Sequence, residues 1–146
     1  MIDKKHIGLK LTPHTVEIEK GRLRFFAKAI GETDPIYFDE DAAKAAGYAS
    51  LPIPPTFVFC MEMEKSDPFE SLEIMEIDLG KVLHAEQSFK YHAPICAGDN
   101  LTFESRVSDI YDKKGGALEF VVQDCNVTNQ AKTLVAELRS VTVVRN

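Results

Sequence analysis

From Val82 onward the chain is written almost entirely in period-2 alternation or in β-branched and aromatic residues, and no other feature constrains its fold as strongly. Four stretches carry the pattern: Val82–His92, Asn100–Tyr111, Ala117–Thr128 and Thr133–Val144. The links between them, Pro94–Asp99, Asp112–Gly116 and Asn129–Lys132, are rich in turn formers, and two are short enough for hairpins. The expectation is an antiparallel meander. Strands of roughly ten or eleven residues exceed the typical length of about five or six. They leave an edge that a second subunit can shield.

Before Ser66 the pattern is helical instead. Leu23, Phe26, Ala27 and Ile30 fall at i, i+3, i+4 and i+7, an apolar stripe that predicts a helix over Lys20–Ile30 capped by Gly31. Asp39 or Glu40 opens a short second helix through Ala46, with Gly47 as its stop. The stiff segment Leu51–Thr56 leads into the apolar run Phe57–Met61, which predicts a buried helix starting at Pro55 and ending near Lys65, ahead of Ser66-Asp67-Pro68. Helices first and strands afterwards is the order of an α+β domain, and one apolar helix beside a long meander suggests a sheet curled around that helix. At 146 residues, the chain reads as a single domain, residues 1–146.

Composition removes several function classes. With 45% apolar and 27% charged residues and no low-complexity run, the chain is not disordered or fibrous. A net charge of −6, with no basic run longer than a Lys-Lys pair, disfavours nucleic acid and anionic membrane as partners. The longest apolar stretch, Ile53–Met61, is far short of the ~20 residues that span a bilayer, and MIDKKHIGLK lacks the apolar core of a signal peptide, so a cytoplasmic location is expected. Cys60, Cys96 and Cys125 have no C-x-x-C spacing, and His6 and His14 lack ligand partners at useful spacing. Neither a metal site nor a cofactor is expected.

The densest cluster of unusual residues is Ala29–Asp39, which sets Glu32, Asp34, Asp39 and Tyr37 in a loop between two helices. A purely structural account is available: Gly31 caps a helix, Asp34 makes an Asx turn before Pro35, and Asp39 caps the next helix. The stretch also resembles the signature G-D-x-N-P-hydrophobic-H-x-D of the MaoC-like enoyl-thioester hydratases and dehydratases, read here from Gly31 through Pro35 and Ile36 to Asp39. Ala42–Tyr48 is similar to the family segment A-A-x-x-x-G-[FY], and His84–Asp99 to H-G-E-Q-x-F-x-Y-H-x-P-x-x-x-G-D of N-terminal MaoC-type dehydratase domains. The three segments occur in family order and spacing.

The resemblance implies a hotdog fold: an antiparallel sheet wrapped around a long central helix, with an overhanging helical segment, and two such units paired side by side. It implies a substrate that is an acyl thioester of coenzyme A or acyl carrier protein, and reversible addition or loss of water at its C2–C3 bond. In catalytic members the signature aspartate and histidine work on one water as an acid/base pair, while amides at the start of the central helix stabilise the thioester oxyanion. Here Glu32 stands for the aspartate, Tyr37 for the histidine and Asp34 for the asparagine, and Pro54-Pro55-Thr56 precedes the helix where catalytic members carry His-Gly. A phenol with a reference pKa near ~10 is a poor proton shuttle at neutrality, and proline supplies no N–H, which leaves Thr56 as the nearest oxyanion donor. Gly31, Pro35, Ile36, Pro55, Thr56 and Phe57 are the implied substrate contacts.

Three functions remain open on this reading. The chain is a hydro-lyase in its own right, using Glu32 with Tyr37 or with His84; or a substrate-holding, non-catalytic subunit that completes a catalytic hotdog partner; or an acyl-thioester hydrolase. Either a homodimer or a heterodimer fits. His84 is expected to share a strand face with Glu86 while Gln87 points away, and a structural role in the sheet is the plainer account of it. Phe25, Phe57, Phe59 and Met61 line a tunnel or form plain core.

Overall fold

The computed structural model describes all 146 residues. Five strands, β1 (His14–Glu17), β2 (Val82–Tyr91), β3 (Asn100–Lys113), β4 (Leu118–Thr128) and β5 (Leu134–Arg145), form one antiparallel sheet in the order β1-β3-β4-β5-β2. Four short helices, α1 (Lys20–Ala29), α2 (Glu40–Ala45), α3 (Phe57–Glu62) and α4 (Glu70–Ile74), precede β2.

The long strands lie where the alternation placed them, to within two residues at every end. Strand β1 was not expected: at four residues it is too short for periodicity to register. The meander holds for β3, β4 and β5, but β2 pairs with β5 and lies at the sheet edge, not beside β3. The chain crosses between them along Ile95–Ala97, which is laced to Leu51–Ile53 by Ile53 N–H donating to the Ile95 carbonyl (3.0 Å) and Ala97 N–H to the Leu51 carbonyl (2.9 Å). At Gly98 a φ of +95° makes the turn out of this crossing, and Asp99 holds it by accepting from the Cys96 amide at 2.9 Å.

The helical layer is also more broken than the sequence suggests. The Glu64 amide bonds the Met61 carbonyl, an i−3 bond that tightens and ends α3, and Ser66-Asp67-Pro68 separates it from α4. Two short pieces thus stand where one long central helix was expected. The inner face of the sheet, with Leu101, Phe103, Cys125, Val127 and Leu138, closes on Phe57, Val58 and Met61 of α3 and Leu23 of α1. Burying side chains such as Val58 and Met61 completely stabilises the fold by about 1.5–3 kcal/mol each. Phe57 and Met61 are therefore core, whereas Phe25 is 76% exposed on α1 and lines nothing.

Three register shifts interrupt the ladder: one in β3 between Val107 and Asp109, one in β2 between His84 and Glu86, and one where β4 meets β5 at Val127 and Thr128. The second overturns the expected face of His84. His84 pairs with Thr142 and Gln87 with Ser140, two positions apart on β5, so His84 and Gln87 share the inner face and Glu86, opposite Val141, lies on the other.

Candidate functional site

The signature loop begins where α1 runs out. Gly31 adopts φ +76° after the last turn, and the Glu32 amide returns to the Ala27 carbonyl at 2.9 Å. Each acid that follows accepts from backbone through one of its oxygens. The Glu32 Oε1 accepts from the Thr33 and Asp34 amides (2.9 and 3.2 Å), Asp34 Oδ1 from the Ile36 amide (3.1 Å), and Asp39 Oδ1 from the Ala42 amide (2.8 Å), which caps α2. Pro35 is exposed, Ile36 is half-buried, and Arg24 Nε ties the loop to α1 by donating to the Phe38 carbonyl at 3.0 Å. Tyr37 is half-buried; burial first, then the neighbouring charges of Glu32, Tyr48 and Asp34, push its phenol above the usual tyrosine value. It stays protonated at neutral pH and can donate a hydrogen bond, but it does not exchange a proton there.

The start of α3 is a second locus. Phe57 N–H donates to the Pro54 carbonyl at 2.9 Å, Pro55 and Thr56 are exposed, and the Thr56 amide donates to no atom of the chain. Tyr91 of β2 donates its phenolic hydrogen to the Pro55 carbonyl, and burial of that hydroxyl pushes the phenol up to about 12. Phe26 of α1 meets Phe57 edge-on at 5.1 Å, so the helix that carries the signature loop packs directly on the helix whose first turn holds Thr56. Sequence reasoning assigned no role to Tyr91, although it lies two residues from the inward Phe89 and so shares its face. Tyr91→Phe should lower stability by about 1 kcal/mol in urea titration, the ordinary worth of a hydrogen bond. An unchanged midpoint would mean that the turn alone holds the start of α3.

No hydrogen bond or ion pair joins Glu32, Asp34 or Tyr37 to Thr56 or His84. His84 belongs to a third locus, a pocket of about 170 Å³ at the far end of α3. There His84 Nε2–H donates to the Glu86 carbonyl at 2.9 Å, and the ring meets Phe59 of α3 edge-on at 5.3 Å. His14 of β1 stacks on Phe103 (4.9 Å) and donates from Nε2 to the Met61 carbonyl at 2.9 Å. Gln123 donates to Ser71 Oγ (2.8 Å), and Lys65 pairs with Glu70 at 3.2 Å. The Oε2 of Glu62 is buried with no partner in the chain, and burial, partly offset by Lys65, pushes the carboxyl up to about 7. Burial, and next the charge of Glu62, pushes the Cys125 thiol up to about 12. Neither Glu62 nor His14 stood out in the sequence; the one signal for Glu62 was a lone acid closing the apolar run Phe57–Met61. No three His, Cys, Asp or Glu side chains converge as metal ligands would.

Residues 5–138 match the family described as FAS1-like, dehydratase domain region. The chain belongs to this FAS1-like dehydratase-region family. Among curated relatives, a UPF0336 protein of Streptomyces avermitilis is 35% identical over 115 residues, which cover 78% of this chain and 77% of the relative. Among solved structures, this dehydratase-region chain is similar to the C-terminally truncated HadBC (3R-hydroxyacyl-ACP dehydratase) complex from Mycobacterium tuberculosis. The TM-score is 0.80 at 25% identity, over 94% of this chain and 96% of that one. It also superimposes on a MaoC-like dehydratase with a TM-score of 0.86 at 22% identity, over 97% of this chain but 42% of the other. The fold is thus the hotdog fold of the MaoC-like dehydratases and hydratases. No helix of the dehydratase-region chain is long and apolar enough to cross a membrane.

Proposed function

We propose that the chain is the acyl-thioester-holding subunit of a hotdog hydratase/dehydratase, one that completes a catalytic partner instead of carrying the acid/base pair itself. One observation carries this reading: Tyr37, a protonated phenol, stands where the signature needs a proton-exchanging partner for Glu32, whose Oε1 is already bonded by the Thr33 and Asp34 amides. Removing or adding water at C2–C3 needs a partner that both takes and gives a proton near neutrality, and Tyr37 does not serve as one. What the chain keeps is the start of α3, where the Thr56 amide can meet the thioester oxygen and Tyr91 steadies the preceding carbonyl. Strand β2 hydrogen-bonds to β5 on one side only, which leaves a ten-residue edge for the second hotdog unit. The likeness to the HadBC complex supports a partner that is a different chain. The substrate would be an acyl thioester of coenzyme A or acyl carrier protein.

Incubation with crotonyl-CoA and longer enoyl-CoA esters, followed by loss of the conjugated double-bond absorbance, tests the reading. The chain alone should bind acyl-CoA without turning it over, and turnover should appear when a MaoC-like subunit bearing the Asp/His pair is added. Turnover by the chain alone that Glu32→Gln abolishes would establish instead a self-sufficient hydro-lyase.

A further inference from the structure

With the core packed on one side of the sheet, its other side should read polar. At one end it does not. The paired residues Tyr111, Phe120, Val143 and Leu83 form an apolar row across all four long strands, and Val122 and Val141 add a second row on β4 and β5. They alternate with Ile110 and Val121 of the core and with His84, so they point away from α3. Leu83 is 48% exposed, and the Tyr111 and Phe120 rings stack at 4.8 Å beside the Lys113 ammonium. An apolar patch spanning four strands is a surface suited to being covered. Farther along the strands the same face turns to charge in a fixed order. From β3 to β2, one row reads Arg106, Asp124, Arg139, Ser88, and the next reads Glu104, Asn126, Glu137, Lys90.

We infer that this outer face docks a second copy of the chain, related by a two-fold axis that runs parallel to the strands between β4 and β5. Such an axis lays β4 on β5 of the second copy and β3 on its β2, row upon row, in the aligned arrangement of packed sheets. Phe120 then faces Val143, Tyr111 faces Leu83, and Val122 faces Val141, each pair occurring twice. The charges match as well: Asp124 meets Arg139, and Glu104 at one margin meets Lys90 at the other. The face is thus complementary to itself, which is why the occupant is this chain and not a different one. Asp109 and Glu86, which flank the Val122 and Val141 row, meet as a like-charged pair at the rim. The β2 edge assigned to the catalytic partner lies beside this face and not on it, so both contacts form together. The inference does not depend on the acyl-holding reading.

Sedimentation of the full chain over a range of concentrations tests it. The parent should show an association step that doubles the mass. Glu104→Lys and Lys90→Glu should each raise the dissociation constant of that step at least about tenfold, as expected for breaking a close charge pair across an interface. The double variant should restore it. Within one chain these residues stand three strand spacings apart, about 14 Å, so only a contact between chains produces the restoration. Leu83→Asp should abolish the step, and Asp109→Asn should tighten it. All four positions are exposed, and urea titration of each variant checks that the fold is kept. A parent that stays monomeric overturns the inference. So does a step that the single charge exchanges leave untouched, which would belong to the β2 edge. Losses in both single variants without restoration in the double overturn the two-fold register and the inference with it.

Discussion

Glu62→Gln should stabilise the protein on the order of 3 kcal/mol at pH 8 and leave it unchanged near pH 4.5. The folded carboxyl titrates at about 7, against 4.5 for an unstrained glutamate. Between those values the folded state holds a proton that the unfolded chain has released, so stability is full below pH 4.5 and drains away as pH rises to 7, at ~1.4 kcal/mol per unit. An amide cannot ionise, so the variant escapes this loss. The groups facing the carboxyl from neighbouring elements do not cancel the effect. Lys65, close to it in sequence, offsets burial only in part and pairs with Glu70 of α4, while Cys125 of β4 remains a neutral thiol. His14 and His84 line the same pocket with their Nε2–H groups committed to backbone carbonyls. Urea titrations of parent and variant at pH 4.5, 6 and 8 measure the difference directly. Parallel curves across that range would mean that Glu62 reaches water in solution.

Phe103→Ala should cost about 3–5 kcal/mol, the usual consequence of emptying an aromatic site in a closed core. The ring is 1% exposed, sits opposite Val127 on β4, and lies under the stacked ring of His14. His14 in turn donates to the Met61 carbonyl. Deletion therefore both opens a cavity and unseats the contact that fixes the end of α3 against β1. A fall in the urea midpoint with unchanged slope is the expected signature, and Phe103→Leu should recover much of it. A loss below about 1 kcal/mol would mean that α3 settles into the gap.

Much of this architecture is legible before any coordinates. The strand boundaries, the Gly31 and Gly47 stops and the Asp39 cap follow from period, φ freedom and hydrogen-bonding capacity, all of which act within a few residues. What was not legible depends on pairs distant in sequence. Alternation says that Val82–Tyr91 is a strand but not that β5 is its neighbour. One inserted residue between His84 and Glu86 reverses the expected face of everything downstream, and no side-chain pattern announces it. The break after Glu62 is visible in Ser66-Asp67-Pro68, yet the apolar run masks how early the helix gives up. Glu62 reads as a surface acid until β4 and α4 close over it. In the signature loop the residue types were plain, and so was the loss of the histidine. That the loop's own amides bond Oε1 of Glu32 could be found only in three dimensions.

The position of β2 at the sheet edge has a consequence for how the protein is made. Val82 pairs with Val144 of β5, so β2 has no partner while β3 and β4 are already emerging. At synthesis rates of ~5–20 residues per second, β2 spends several seconds as an extended strand with both edges open, including the apolar Leu83 and Phe89. Locally connected β3, β4 and β5 can zip as hairpins, whereas β2 must wait for β5. In the nascent chain, this strand is the segment most exposed to mispairing and to chaperone capture.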